Sequence, residues 1–115
     1  MEFDTNKPIY LQIVDAFCDR ILDGSLHEEE RIPSVREYGA QIGVNPNTVA
    51  RSYERLTALE IIYNKRGIGF FVSPDAKGRI LDHEREQFLS EELPRLVQRA
   101  SLLGIDAESL KQYIK

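Results

Sequence analysis

Between residues 34 and 49 the chain carries stop and start signals so closely spaced that few folds can accommodate them. Ser34-Val35-Arg36-Glu37 reads as a capping box, in which the Ser34 hydroxyl and the Glu37 carboxylate each satisfy a backbone N–H left open at a helix start. Gly43 ends that helix, and Asn45 then caps another that has Pro46 at its first position, where a missing N–H costs nothing. The pattern predicts helices over about 35–42 and 46–59, joined by a turn so short that they must cross closely. Gly39 and Gly43 supply small residues for that crossing. A mid-helix glycine costs about 0.5–1 kcal/mol relative to alanine, so a close backbone approach is expected at Gly39.

The segment after the second helix narrows the choice. Ile61-Ile62-Tyr63 and Phe70-Phe71-Val72 flank Asn64 to Gly69, a basic stretch with two glycines, and predict a short hairpin. Two helices around a tight turn with a basic hairpin after them make a winged helix-turn-helix. Ahead of them, apolar residues fall in two adjacent rows, Ile9, Ile13, Phe17, Ile21 and Tyr10, Val14, Cys18, Leu22, which predicts an amphipathic helix from Pro8 to Leu22. The expected class is mainly α with a small β-hairpin (α+β): a winged helix-turn-helix over residues 1–73, then a short helical dimerisation tail over 74–115.

In the tail, Leu81, Phe88, Leu89, Leu93, Leu96 and Leu103 lie at helical spacing, with Pro94 expected to kink or split the helix, Gly104 to end it and Asp106 to cap a last short one. This apolar face is too long for one small winged domain to cover, so a helical interface between two copies is the economical way to bury it. Folding of the tail back onto its own domain is the competing arrangement.

Composition bounds the function. A chain of 115 residues, 42% of them apolar, holds one modest core. No run approaches the roughly 18 apolar residues of a membrane span, and the start lacks the features of a signal peptide, so a cytoplasmic location is expected. With Cys18 as the one cysteine and only His27 and His83 beside it, no internal disulfide and no metal site are expected. No nucleophile–base set or phosphate loop can be assembled, so an enzyme and a cofactor are not expected either. The net charge of −4 would argue against a polyanionic partner, but residues 31–72 carry six basic and three acidic side chains.

On the second helix Val49, Tyr53 and Leu56 cluster on one side, while Asn47, Arg51 and Arg55 lie roughly opposite. That is the pattern of a recognition helix. Its first turn offers Asn45, Asn47 and Thr48, short polar side chains beside backbone N–H groups expected to be free for phosphate oxygens or adenine edges. For Asn45 a simple cap is the alternative role, and for Arg51 a solvated surface arginine. The fold alone does not dictate nucleic-acid binding, so a winged helix used as a protein-interaction or scaffolding module is the second reading; salt dependence of binding to duplex DNA separates the two.

Five separated strings, PIYLQI at 8–13, PSVRE at 33–37, VNPNTV at 44–49, YERL at 53–56 and RGIGFFV at 66–72, resemble in order and spacing the DNA-binding domain of the GntR family of bacterial regulators. FLSEELPRLVQRASLLGI at 88–105 is similar to the short tail of its YtrA-like subgroup, whose tail mediates dimerisation. The resemblance implies a double-stranded DNA partner, a homodimer, and expected repression from an inverted-repeat operator. It assigns Ser34 to phosphate, Arg36 to a base contact from the first helix of the motif, Asn47 and Thr48 to the major groove or its edge, and Lys65, Arg66 and Gly67 to the minor groove. Pro46, Ala50, Glu60 and Ile68 depart from the family pattern; the departure at Pro46 shifts the expected specificity onto Arg36, Asn47 and Arg51, and Ile68 is expected to weaken the minor-groove contact. A left-handed Glu60, where glycine is usual, would be mildly strained. No residue specifies a small-molecule effector; the expected place for one is the junction from Ser73 to Gly78.

Overall fold

The computed structural model describes residues 2–114, which form two compact units with the boundary between Leu81 and Asp82. In the first, Pro8 precedes α1 (Ile9–Leu22), which turns Ile13, Val14, Phe17, Cys18 and Ile21 inward. Tyr10 and Leu22 from the same expected rows are only half-buried, and Ile9 is exposed. Then come α2 (Val35–Ile42), α3 (Pro46–Ala58), the antiparallel strands β1 (Ile62–Lys65) and β2 (Gly69–Val72), and the start of α4 (Ala76–Gln87).

The local signals act as the sequence requires. The Ser34 hydroxyl accepts from the Glu37 N–H at 3.1 Å, and the Glu37 carboxylate accepts from the Ser34 N–H at 3.1 Å. Gly43 closes α2, and the Val44 N–H returns to the Gly39 carbonyl at 2.9 Å. A methyl group built on Gly39 would stand 2.7 Å from the Val44 carbonyl oxygen. That is the close backbone approach expected there, and it joins α2 to α3 without room for a side chain.

The core is organised around aromatic rings. Tyr53 packs edge-on to Phe17 at 5.7 Å and to Phe70 at 5.1 Å, and Phe17 lies 4.9 Å from Tyr38. The buried Tyr53 hydroxyl donates to the Pro33 carbonyl at 2.7 Å, which removes the penalty of enclosing a polar group and pins the entry to α2 against α3. Burial pushes the ionisation of Tyr53 and of Tyr38 above the ordinary phenol range.

β2 is held on both edges. β1 pairs with it in the register Ile62–Val72 and Lys65–Gly69. On the other side the stretch from Glu29, itself left-handed at φ +68°, to Ile32 contributes three backbone hydrogen bonds, Glu29 N–H to Val72, Val72 N–H to Glu30 and Ile32 N–H to Phe70, at 2.8–3.0 Å. The hairpin is therefore braced by the segment that leads into α2.

The first unit runs past Ser73, where the sequence placed the end of the winged domain, because Ala76 and Ile80 are buried in its core. Leu81 closes the unit half-buried and belongs to it rather than to the tail unit.

In the second unit a π-helical stretch, Phe88–Glu92, precedes α5 (Leu93–Leu102), and α6 (Ala107–Lys111) comes after it. Pro94 gives no N–H and its ring crowds the carbonyl four residues back; the chain stays helical and meets it with a π-helical turn rather than the break that was one of the expected outcomes. The Leu93 N–H accordingly reaches five residues back, to Phe88. Asp106 caps α6 through the Ser109 N–H at 2.9 Å. Ile114 lies beyond its end and is exposed. No helix among the described residues is long and apolar enough to cross a membrane.

Candidate nucleic-acid interface

Helix α3 buries Val49, Ser52, Tyr53 and Leu56, all at 1% exposure or less, and leaves Asn47, Arg51, Glu54 and Arg55 outward. Its buried side is closed on two flanks. Toward α1, the Ser52 hydroxyl donates to the Tyr10 carbonyl at 2.8 Å. Toward the hairpin, Tyr53 meets Phe70. The outward face thus projects between α1 on one hand and the start of α2 with the hairpin on the other, as Val35, Ala50 and Phe70 line one groove.

Arg51 does not stand free on the outward face. Its guanidinium lies 3.9 Å from the centroid of the Tyr10 ring, on the α1 flank. Tyr10, placed by its spacing in a core row, is half-buried and serves as that platform. Stacking on an aromatic face leaves the edge N–H groups of a guanidinium available while fixing its plane. Arg36, in the first turn of α2, is exposed. Arg36 therefore comes from an element on one flank of α3, whereas Arg51, on α3 itself, leans toward α1 on the other.

The N-terminus of α3 differs from expectation. Pro46 has no N–H, the Asn47 N–H donates to the Asn45 side chain at 2.8 Å, and the Thr48 and Val49 N–H groups reach the Asn45 carbonyl at 3.0 and 3.2 Å. The expected free backbone donors are spent inside the turn, because Asn45 caps the helix so completely. Recognition at this end is left to side chains: Asn45 and Asn47 are exposed and Thr48 is half-buried.

Ser34 is half-buried; its oxygen accepts from the Glu37 N–H in the capping box, and its hydroxyl also interacts with the Glu37 carboxylate. Donation from the backbone N–H and the side chain of Ser34 holds the Glu37 carboxyl below the usual carboxylate range. At the hairpin turn Lys65, Arg66 and Gly67 are all exposed. The Lys65 ammonium leans over the Phe71 ring, 5.2 Å from its centroid, so Arg66 and Gly67 form the tip.

Two contributors escaped the sequence reading. Arg31 bridges to Phe71 beside the hairpin, and its guanidinium lies 3.1 Å from where a side chain on Gly69 would begin. Tyr10 carries Arg51. Neither pairing has a sequence signal, because the partners lie about forty residues apart in the chain.

Residues 9–72 match the bacterial regulatory proteins of the gntR family. The chain is 36% identical over 114 residues to the HTH-type transcriptional regulator YhcF of Bacillus subtilis, spanning 99% of this chain and 93% of that one. It is 33% identical over 111 residues to the HTH-type transcriptional repressor YtrA of the same bacterium, spanning 96% and 85%. A crystal structure of a transcriptional regulator of the GntR family from Bacteroides thetaiotaomicron superposes with a TM-score of 0.79 at 52% identity, over 90% of each chain. With a winged helix-turn-helix of this geometry and these relatives, the chain belongs to the GntR family of DNA-binding bacterial transcription regulators, in its YtrA-like subgroup.

Proposed function

We propose that this protein is a homodimeric repressor that recognises an inverted-repeat operator in double-stranded DNA. The observation that carries the reading is the division of α3 into a fully enclosed inner side and a polar outer side flanked by Arg36, Arg51 and the hairpin tip. A helix with that division fits a major groove, where one phosphate strand runs along each flank. Arg51 on the α1 flank meets one strand. Ser34, at the start of α2, meets the other. Arg36 and Asn47 take base edges, with Thr48 at the groove's edge and Asn45 chiefly a cap. Arg66 and Gly67 approach the adjacent minor groove, where a basic side chain gains from the focused negative potential, and Lys65 stands behind them.

The tail supports the dimer. Phe88, Leu89, Leu96 and Leu103 are all exposed in a single chain, and Leu93 is half-buried. Packed against a second copy they would set two recognition helices about 34–36 Å apart, one turn of DNA. The tail proposed from residue 74 enters the winged unit's core at Ala76 and Ile80, and its exposed part, from Asp82 on, supplies the symmetry. YtrA is named a repressor, and repression is the sign we carry over.

The test is selection of bound sequences from a random duplex pool, paired with light scattering. The expected result is an enriched inverted repeat, a mass twice the chain's 13.2 kDa, and affinity that falls steeply with salt. A pool that stays random, or association with a protein that ignores salt and no binding to duplex, would overturn the reading.

A further inference from the structure

The hairpin-facing flank of α3 offers no hydrogen-bond donor over its first two turns. Pro46 and Ala50, four residues apart, stand one above the other on this flank, the first exposed and the second half-buried. Val35 of α2, also half-buried, lines a groove of about 540 Å³ with Ala50, Ala58 and Phe70. Glu54 borders the same groove, and its carboxylate would repel phosphate oxygens. On α3 itself nothing over these two turns of the flank suits the DNA backbone; Asn64, which also lines the groove, belongs to β1.

The edges of the bases decide what such a flank can distinguish. In the major groove every base presents donors or acceptors, and one presents an apolar group, the C5-methyl of thymine. We propose that Pro46 and Ala50, backed by Val35, select thymine at one position of each half-site by contact with that methyl group. The inference rests on α3 entering the major groove, as proposed above. It assigns specificity to residues that carry no polar atom in their side chains.

The test changes the DNA and leaves the protein as it is. In the duplex recovered by selection, each thymine is replaced in turn by 2′-deoxyuridine, which keeps every hydrogen-bonding group and removes only the methyl. Affinity should fall about three- to five-fold at one thymine per half-site, the size of one buried methyl group, and by less than about 1.5-fold elsewhere. Ala50→Gly should bind the parent duplex more weakly and lose its sensitivity to uracil at that position, with circular dichroism confirming that the variant is folded. If uracil is tolerated everywhere in a duplex that is still bound specifically, the methyl contact is wrong and DNA recognition stands. If no duplex is enriched at all, the underlying reading fails and the methyl contact with it.

Discussion

The winged unit and the tail use the same kinds of residue in opposite ways. In the winged unit Phe17, Tyr53 and Leu56 are at 1% exposure or less, whereas in the tail Leu89 and Leu96 are about three-fifths exposed and Leu102 three-quarters. From Asp82 onward Ala100 alone is buried among the described residues. Both regions carry apolar residues at helical spacing, so periodicity by itself does not say whether a stripe is a core or a contact surface. What differs is the supply of partners. α1, α3 and the hairpin converge on one another, while a helix of ten residues such as α5 gains too little from its own hydrogen bonds to be stable alone in water.

That contrast can be broken most sharply by truncating one leucine in each region. Leu56→Ala, at a fully enclosed site, should cost about 3 kcal/mol of stability, and the loss should be the same at every protein concentration in a denaturant titration. If the midpoint moved by less than a third of that, the core would be looser than its burial implies. Leu96→Asp should act on assembly instead. Placing an unpaired charge in an interface costs about 2 kcal/mol or more, so sedimentation should show dissociation at concentrations where the parent is a dimer, with the winged unit still folded. An unchanged dimer would mean that this stripe is not the contact surface. Smaller again, Arg36→Ala should weaken operator binding by about 1–2 kcal/mol and relax preference at one base position, measured by fluorescence anisotropy across variant duplexes. Uniform weakening on all sequences would move Arg36 from a base to a phosphate.

How legible these features are in the sequence depends on the distance between partners. The Ser34–Glu37 box, the Asn45 cap with Pro46, the helical irregularity ahead of Pro94 and the tight contact at Gly39 all depend on residues within a turn or two, and each is visible in the sequence. Ser52 is not: a serine on the apolar side of α3 looks misplaced until its hydroxyl is seen bonded to the Tyr10 carbonyl, 42 residues away. The stacking of Arg51 on Tyr10 and the bracing of β2 by Glu29 to Ile32 are hidden for the same reason. The free N–H groups expected at the start of α3 fail for a local cause, since a cap as good as Asn45 consumes the donors that its own presence suggests.

The finest comparison between the regions lies in two helix ends built alike. After α3 the Ile61 N–H returns to Leu56 at 2.9 Å and the Glu60 N–H to Thr57 at 3.0 Å; after α5 the Ile105 N–H returns to Ala100 at 2.9 Å and the Gly104 N–H to Ser101 at 3.1 Å. Both are Schellman closures, and both require a left-handed residue. In the tail that residue is Gly104, at φ +73°; in the winged unit it is Glu60, at φ +60°, where a side chain is disfavoured. Glu60 has one compensation, an ion pair to Arg79 at 2.6 Å. Both side chains of the pair are about half exposed or more, and such surface pairs contribute little. Relief of the backbone conformation should therefore outweigh loss of the pair, and Glu60→Gly should stabilise the winged unit by about 0.5 kcal/mol in a denaturant titration. The same measurement on Glu60→Gln, which keeps the conformation and removes the charge, isolates the ion pair. If Glu60→Gly were destabilising and Glu60→Gln equally so, the bond to Arg79 would be what holds α3 to the start of α4, and the strain at Glu60 its consequence.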